Sequence, residues 1–499
     1  MIESVRAHSD FHADWNVVDA NGLTVTPGFI DVHSHADFGP FLHDDDTTKV
    51  LQGVTTEVVG NCGISLAPTT SERRTLLASA FEPRLSELEP SDGSFAQYLA
   101  AMDERGYVTN FAPLVGHNTL RIAALGMEAR EPTDDELAQM GKMLEEALDA
   151  GAFGLSTGLI YPPGTFSVTS EIVALAERLR PNTLYTSHLR SEADALLEAV
   201  AEALHVGEST GTRVQISHHK AAGRSNWGKT RESLALIAAA RARGVDVHQD
   251  VYPYLAGSTS LRAALPPEFH AGGAEATLAR LRDDTALSKL AARIADGAPG
   301  FENLVKQAGY DGILIATTAS GRFEGMTLSE VGHELAVDPF HALVHVLVQE
   351  RLEATMTIFL MNEGDVERVI TDAHTAIGSD GAYAGSGGKP HPRLFGTFPR
   401  VLARYVRERR TLSLGAAIHK MTALAAHIFR LPDRGTLAAG QIADIVAFDA
   451  DTISDDLDYR DPVRAPKGIA WVMQGGRTVV QGHSYIGARN GERLRPAPA

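Results

Sequence analysis

Eight times along the chain a short, β-rich apolar run ends in polar or glycine residues and gives way, in most intervals, to a helical pattern rich in Ala, Leu and Glu. Successive parallel strands need a crossover, usually a helix, so a repeated βα unit builds a parallel sheet. The runs end at GFIDVHSH (28–35), TTEVVGNC (55–62), NFAPLVGHN (110–118), GAFGLSTG (151–158), LYTSHLR (184–190), RVQISHHK (213–220), VDVHQDVYPY (245–254) and AIGSDG (376–381). Eight such units predict an α/β chain closed as a (β/α)8 TIM-like barrel, with its chemistry at the C-terminal ends of the strands. One helix is plain in DDELAQMGKMLEEALDAG. Leu137, Met140, Met143, Leu144 and Leu148 recur at helical spacing, Asp134 stands near the start and Gly151 follows the end.

Two stretches exceed a bare barrel. Residues 255–374, between the seventh and eighth runs, are far longer than an ordinary βα connection, which predicts added helices covering the barrel mouth. Near the C-terminus ADIVAF and GGRTVVQG read as short strands of a small β-domain. The expected organisation is an N-terminal part of that domain over 1–27, a barrel over 28–430 and the rest of the small domain over 431–499.

Composition excludes several classes of function. The chain has 499 residues, 44% hydrophobic and 22% charged, enough to bury a large core. Its 45 Lys and Arg against 63 Asp and Glu give a net charge of −18, which repels nucleic acid and anionic membrane surfaces. A single cysteine forms no intrachain disulfide, and the first residues hold no apolar run of signal-peptide type, so a cytoplasmic protein is expected.

Residues two apart on a strand face the same side, so His33 and His35 in DVHSH project together from the end of the first strand, an arrangement suited to a metal. His188 ends the fifth run and His218 the sixth. Alternation puts Ile216, His218 and Lys220 on one face and turns His219 to the other, as a packing residue. Cys62 follows the second strand beside the first, between Gly60 and Gly63, where its thiolate could join those histidines on zinc; a buried apolar cysteine and a nucleophile are the alternatives. Asp380, ending the eighth run, is placed for acid/base work beside a metal, the alternative being a turn aspartate before Gly381.

TPGFIDVHSHADF, VVGNCGIS, GLSTGLIYPPGTF, ISHHK, DVYPYLAGST and GSDG…HPRLFGTFPRVL, in this order along nearly the whole chain, resemble the N-acyl-D-amino-acid deacylase (D-aminoacylase) family of the amidohydrolase superfamily. Many other members of that superfamily bridge two metals with a carboxylated lysine on the fourth strand. GAFGLSTG has no lysine, and the cysteine after the second strand matches the D-aminoacylase branch. The resemblance implies a metal-dependent hydrolase barrel and a small β-sandwich built from both ends of the chain, its N-terminal part expected to be either truncated or reduced here. It implies a tightly held Zn2+ on Cys62, His188 and His218, a second, weaker position at His33 and His35 sharing Cys62, and Asp380 as general acid/base. It assigns Lys220, Tyr252 and Arg393 to the α-carboxylate of a small-molecule N-acyl amino acid, and two cations with a phenol suit that task. Ile160 and Tyr161 are expected to line the acyl pocket, which the small Ala222 would widen. The reaction so implied is hydrolysis of an N-acyl-D-amino acid to the free D-amino acid and a carboxylate. Hydrolysis of another amide, such as a cyclic ureide or a β-linked dipeptide, and a non-catalytic metal-binding protein are the competing readings.

Overall fold

The computed structural model describes residues 1–6, 17–80, 93–297, 300–382, 387–487 and 489–498. Part of the expected N-terminal segment, residues 7–16, lies outside them. The eight runs form strands β1 (Phe29–Asp31, resumed at Ser34–His35), β2 (Val54–Val59), β3 (Asn110–Pro113, resumed at Val115–Gly116), β4 (Gly154–Gly158), β5 (Leu184–His188), β6 (Arg213–Ile216), β7 (Val247–Val251) and β8 (Thr375–Ile377, resumed at Gly381–Ala382). Each pairs in parallel with the next. The ladder returns to its start where Gly381 and Ala382 of β8 pair with Ser34 and His35 of β1.

The legible helix spans Asp134–Ala150. Thr133 and Glu136 form a reciprocal N-terminal cap, and Gly151 ends the helix at φ +111°. It buries Met140, Leu144 and Leu148, while Leu137 and Met143 sit at the edge of the same apolar cluster.

Between β7 and β8 the expected helices are present, among them Gly273–Arg280, Asp284–Asp296 and Pro339–Gln349. They accompany a three-stranded antiparallel sheet that periodicity within the insertion did not disclose, with Thr355–Phe359 between Ala256–Ser260 and Ile313–Thr317. The chain ends meet in another antiparallel sheet, ordered Thr24–Pro27, Ile445–Phe448, Ile469–Gln474, Arg477–Gln481 and Ser484–Tyr485. Among the described residues this is a single sheet rather than the expected sandwich. Its inner face, with Val446, Phe448 and Val472, packs against Phe29, Val50 and Val54 of the barrel, which take the place of a second sheet. The rings of Phe29 and Phe448 lie 6.1 Å apart. No helix among the described residues is long and apolar enough to cross a membrane.

Charges are buried where the barrel closes. Lys49 Nζ donates to Asp31 Oδ2 at 2.8 Å, Ser34 Oγ at 3.0 Å, Ser379 Oγ at 2.8 Å and Glu57 Oε2 at 3.3 Å. One ammonium thereby joins β1, β2 and the turn inside β8.

Candidate metal centre and active site

At the C-terminal mouth, Cys62 Sγ lies 3.2 Å from Nε2 of His33 and 3.5 Å from Nε2 of His218, which is itself 2.9 Å from Nδ1 of His188. His33, Cys62, His218 and Asp380 each offer a ligand atom within 4.8 Å of the others, and His188, Glu192 and His218 form an overlapping group. His35 stands at the rim, its Nε2 3.2 Å from Asp380 Oδ1.

Strand alternation does not by itself aim these groups. β2 ends at Val59 and β6 at Ile216, so Cys62 and His218 ride on the turns beyond, at φ +54° and +34°, and Asp380 stands in the gap of β8 at φ +52°. Left-handed backbone costs a residue with a Cβ of order 1–3 kcal/mol and persists only where the surroundings over-determine it. Here they do. Ser156 Oγ accepts the Gly63 N–H at 3.0 Å, Asp250 Oδ1 accepts that of His218 at 2.8 Å, and the His33 carbonyl accepts that of Asp380 at 2.6 Å. Gly63 itself has φ +76°, and a Cβ there would stand 2.6 Å from the Gly158 backbone nitrogen. His218 and Lys220 still face the mouth together and His219 turns away, with Nε2 2.7 Å from Ser233 Oγ and Nδ1 3.2 Å from Gln249 Oε1. The agent is the turn, since the strand has already ended.

A carboxylate stands behind two of the inner imidazoles. Asp250 Oδ1 is 3.3 Å from His33 Nδ1, and Glu192 Oε1 is 2.8 Å from His218 Nδ1. Each can hold the proton on that nitrogen and leave the opposite lone pair aimed at Cys62. Burial pushes the Cys62 thiol up, but His33 and His218 outweigh it and hold the thiol well below its ordinary range. Burial works against charge on His33 and His218, yet Cys62 and the facing carboxylates raise both above the ordinary imidazole range; a zinc-type cation binding here would displace the protons between these imidazoles and the thiolate, a donor set suited to it. Burial likewise raises Asp380, yet Arg393 and the neighbouring histidines keep it well below the usual carboxylate range, so it is ionised.

The remaining expected residues share one cavity of about 690 Å³ with this cluster. Lys220 Nζ donates to Glu192 Oε1; Arg393 sets one guanidinium nitrogen 2.7 Å from Asp380 Oδ2 and donates from another to the Ser258 carbonyl at 3.1 Å. The Tyr252 ring lies 5.6 Å from the Lys220 ammonium and 4.8 Å from the Arg393 guanidinium. Tyr161 meets His188 edge-on at 4.9 Å, and its hydroxyl is 3.1 Å from Thr259 Oγ1. Ile160 lines the cavity, whereas Ala222 packs into the neighbouring apolar core, so its small size does not widen the site.

Glu192, Asp250 and His391 escaped the sequence reading. Asp250 had a signal, a charge inside the apolar run of β7, and Glu192 follows His188 by four residues. His391 carried none; its Nδ1 accepts the Arg393 backbone N–H at 3.0 Å and so seats the start of helix Arg393–Arg400.

A family model described as Amidohydrolase family matches residues 16–480. The chain is similar to an N-acyl-D-aspartate deacylase of Alcaligenes xylosoxydans xylosoxydans, 39% identical over 489 residues that cover 97% of this chain and 87% of the relative. It is similar to a D-aminoacylase from the same organism, 38% identical over 96% of this chain and 88% of the relative. Among solved structures, the N-acyl-D-glutamate deacylase of Bordetella bronchiseptica, complexed with zinc and a phosphonate mimic of the tetrahedral intermediate, superposes with a TM-score of 0.80 at 36% identity, covering 96% of this chain and 90% of that one.

Proposed function

The chain belongs to the amidohydrolase family, and from that premise we propose that it hydrolyses the amide bond of N-acyl-D-amino acids with zinc as its metal. The observation that carries this reading is the convergence of Cys62, His188, His218 and Asp380 in a cavity that also presents Lys220, Tyr252 and Arg393. Cys62, His188 and His218 would hold the ion, with His33 and His35 sharing Cys62 at a second position. Zinc there supplies a Lewis acid that acidifies water and polarises the acyl carbonyl.

The chain's own residues do the rest. Lys220, Tyr252 and Arg393 bind the α-carboxylate and fix the scissile amide against Asp380. Arg393 keeps Asp380 ionised, in the form that accepts a proton. As the C–O bond forms, Asp380 takes the proton of the attacking water; as the C–N bond breaks, it delivers that proton to the departing nitrogen. A D-amino acid and a carboxylic acid leave. With the carboxylate clamped and the carbonyl oriented, one enantiomer alone places its side chain in the cavity.

The test is chiral product analysis after zinc-loaded protein meets racemic N-acetyl-methionine and racemic N-acetyl-glutamate, beside a chelated control. Free D-amino acid, formed only with metal, is expected. Asp380→Asn should keep its zinc and lose about 10²-fold or more in kcat. L-product, or full activity in Asp380→Asn, would overturn the reading.

A further inference from the structure

The strand Ala256–Ser260 is an edge of the insertion's three-stranded sheet, paired on its other side with Thr355–Phe359. In an antiparallel pair the carbonyls of alternate residues point away from the partner strand, and they need donors where they are buried. Here two side chains supply them. His391 donates from Nε2 to the Ala256 carbonyl at 2.9 Å, and Arg393 donates from its guanidinium to the Ser258 carbonyl at 3.1 Å. Donors and acceptors keep the same spacing, two residues apart. Between the two acceptors, a Cβ on Gly257 would stand 3.3 Å from the Tyr252 hydroxyl, so Tyr252 abuts the same strand. The wall that meets the substrate carboxylate is thus assembled on one strand edge.

His391 makes its contacts in a single protonation state. Nε2 donates to a carbonyl while Nδ1 accepts the Arg393 backbone N–H at 3.0 Å, which requires a neutral ring with its proton on Nε2. Burial and the Arg393 guanidinium hold its pKa well below the imidazole range, so that form persists. The buried ring is fixed edge-on by Tyr254 at 5.2 Å and Tyr459 at 5.1 Å, and the Tyr252 ring lies 6.4 Å away. Arg393 is meanwhile drawn to Asp380 Oδ2 at 2.7 Å, and a long side chain without a fixed base would follow that carboxylate. We propose that His391 is a positioning residue for the α-carboxylate site: it ties the backbone of Arg393 to the strand Ala256–Ser260, and so sets the spacing across which Arg393, Tyr252 and Lys220 grip the substrate. This rests on the deacylase reading and deepens it.

The experiment measures kcat, KM and bound zinc in the wild type and three variants, with the better substrate of N-acetyl-D-methionine and N-acetyl-D-glutamate. His391→Phe keeps a ring and loses both hydrogen bonds. Its KM should rise about tenfold or more, with bound zinc at the wild-type level and a smaller fall in kcat. His391→Asn has a carbonyl that can accept the Arg393 N–H, and His391→Gln has an amide N–H that can reach the Ala256 carbonyl. Each keeps one bond, and each should give an intermediate KM. A KM within about twofold of wild type in His391→Phe, or a loss confined to kcat or to bound zinc, would overturn this inference and leave the deacylase reading standing. No turnover of either substrate by the wild type would overturn both. Should His391→Phe not fold, the other two variants decide: a raised KM in either supports the inference, and a wild-type KM in both overturns it.

Discussion

Behind His218, Glu192 serves two groups at once, the imidazole at 2.8 Å and the Lys220 ammonium. Burial alone would raise its pKa, but Lys220 and His218 drive it far down, so it is a carboxylate near neutral pH. At that distance it can hold a proton on His218 Nδ1, which would turn Nε2 toward a metal in the cluster. Glu192→Gln keeps the outline and removes the charge, and metal affinity should fall about 10–100-fold, as is usual when a partner behind a ligating histidine is lost. Competition with a chromogenic chelator measures it. Unchanged affinity would restrict Glu192 to the service of Lys220.

Elements meet through buried polar contacts as much as through apolar ones, and the barrel seam shows how. Lys49 precedes the short 3-10 turn Val50–Gln52 and sets its one positive charge between Asp31 of β1 and Glu57 of β2, both buried. Lys49→Met would leave two buried carboxylates facing one another without a cation. Breaking such a set by removing one partner costs about 3–5 kcal/mol, far above the median surface ion pair. Urea unfolding should show that loss, and a change below about 1 kcal/mol would mean that water enters the seam. Asp31 Oδ1 also accepts the backbone N–H groups of His33 and Ser379, so the seam steadies the turns that present His33 and Asp380. Activity should therefore fall along with stability.

Across the whole molecule, the insertion is tied to the barrel mouth where Glu302 accepts the Glu192 backbone N–H at 3.0 Å. Burial, with Glu192 adding like charge, raises Glu302 to about 7 against hydrogen bonds that lower it. An acid whose folded pKa lies above its unfolded value binds more protons when folded, so its contribution to stability falls as pH rises from about 4.5 to 7. Glu302→Gln removes this titration. Its Tm relative to wild type should rise between pH 5 and pH 8, and a constant difference would show that Glu302 titrates normally. Much of the molecule was legible in the residues. The order of the eight strands, the helix Asp134–Ala150, and the placement of Cys62, His33, His188, His218 and Asp380 at strand ends follow from local periodicity and punctuation, which neighbouring residues write directly. The small terminal sheet was legible in two strands of five, because Ile469–Gln474 shows no clean alternation and the rest are short. What the sequence by itself determined was which elements form and which residues stand at their ends. Only the tertiary structure decided how Lys49 meets Ser379 across 330 residues and how Glu192 comes to lie between His218 and Lys220. Such pairings depend on the closure of the chain in space, which no local pattern encodes.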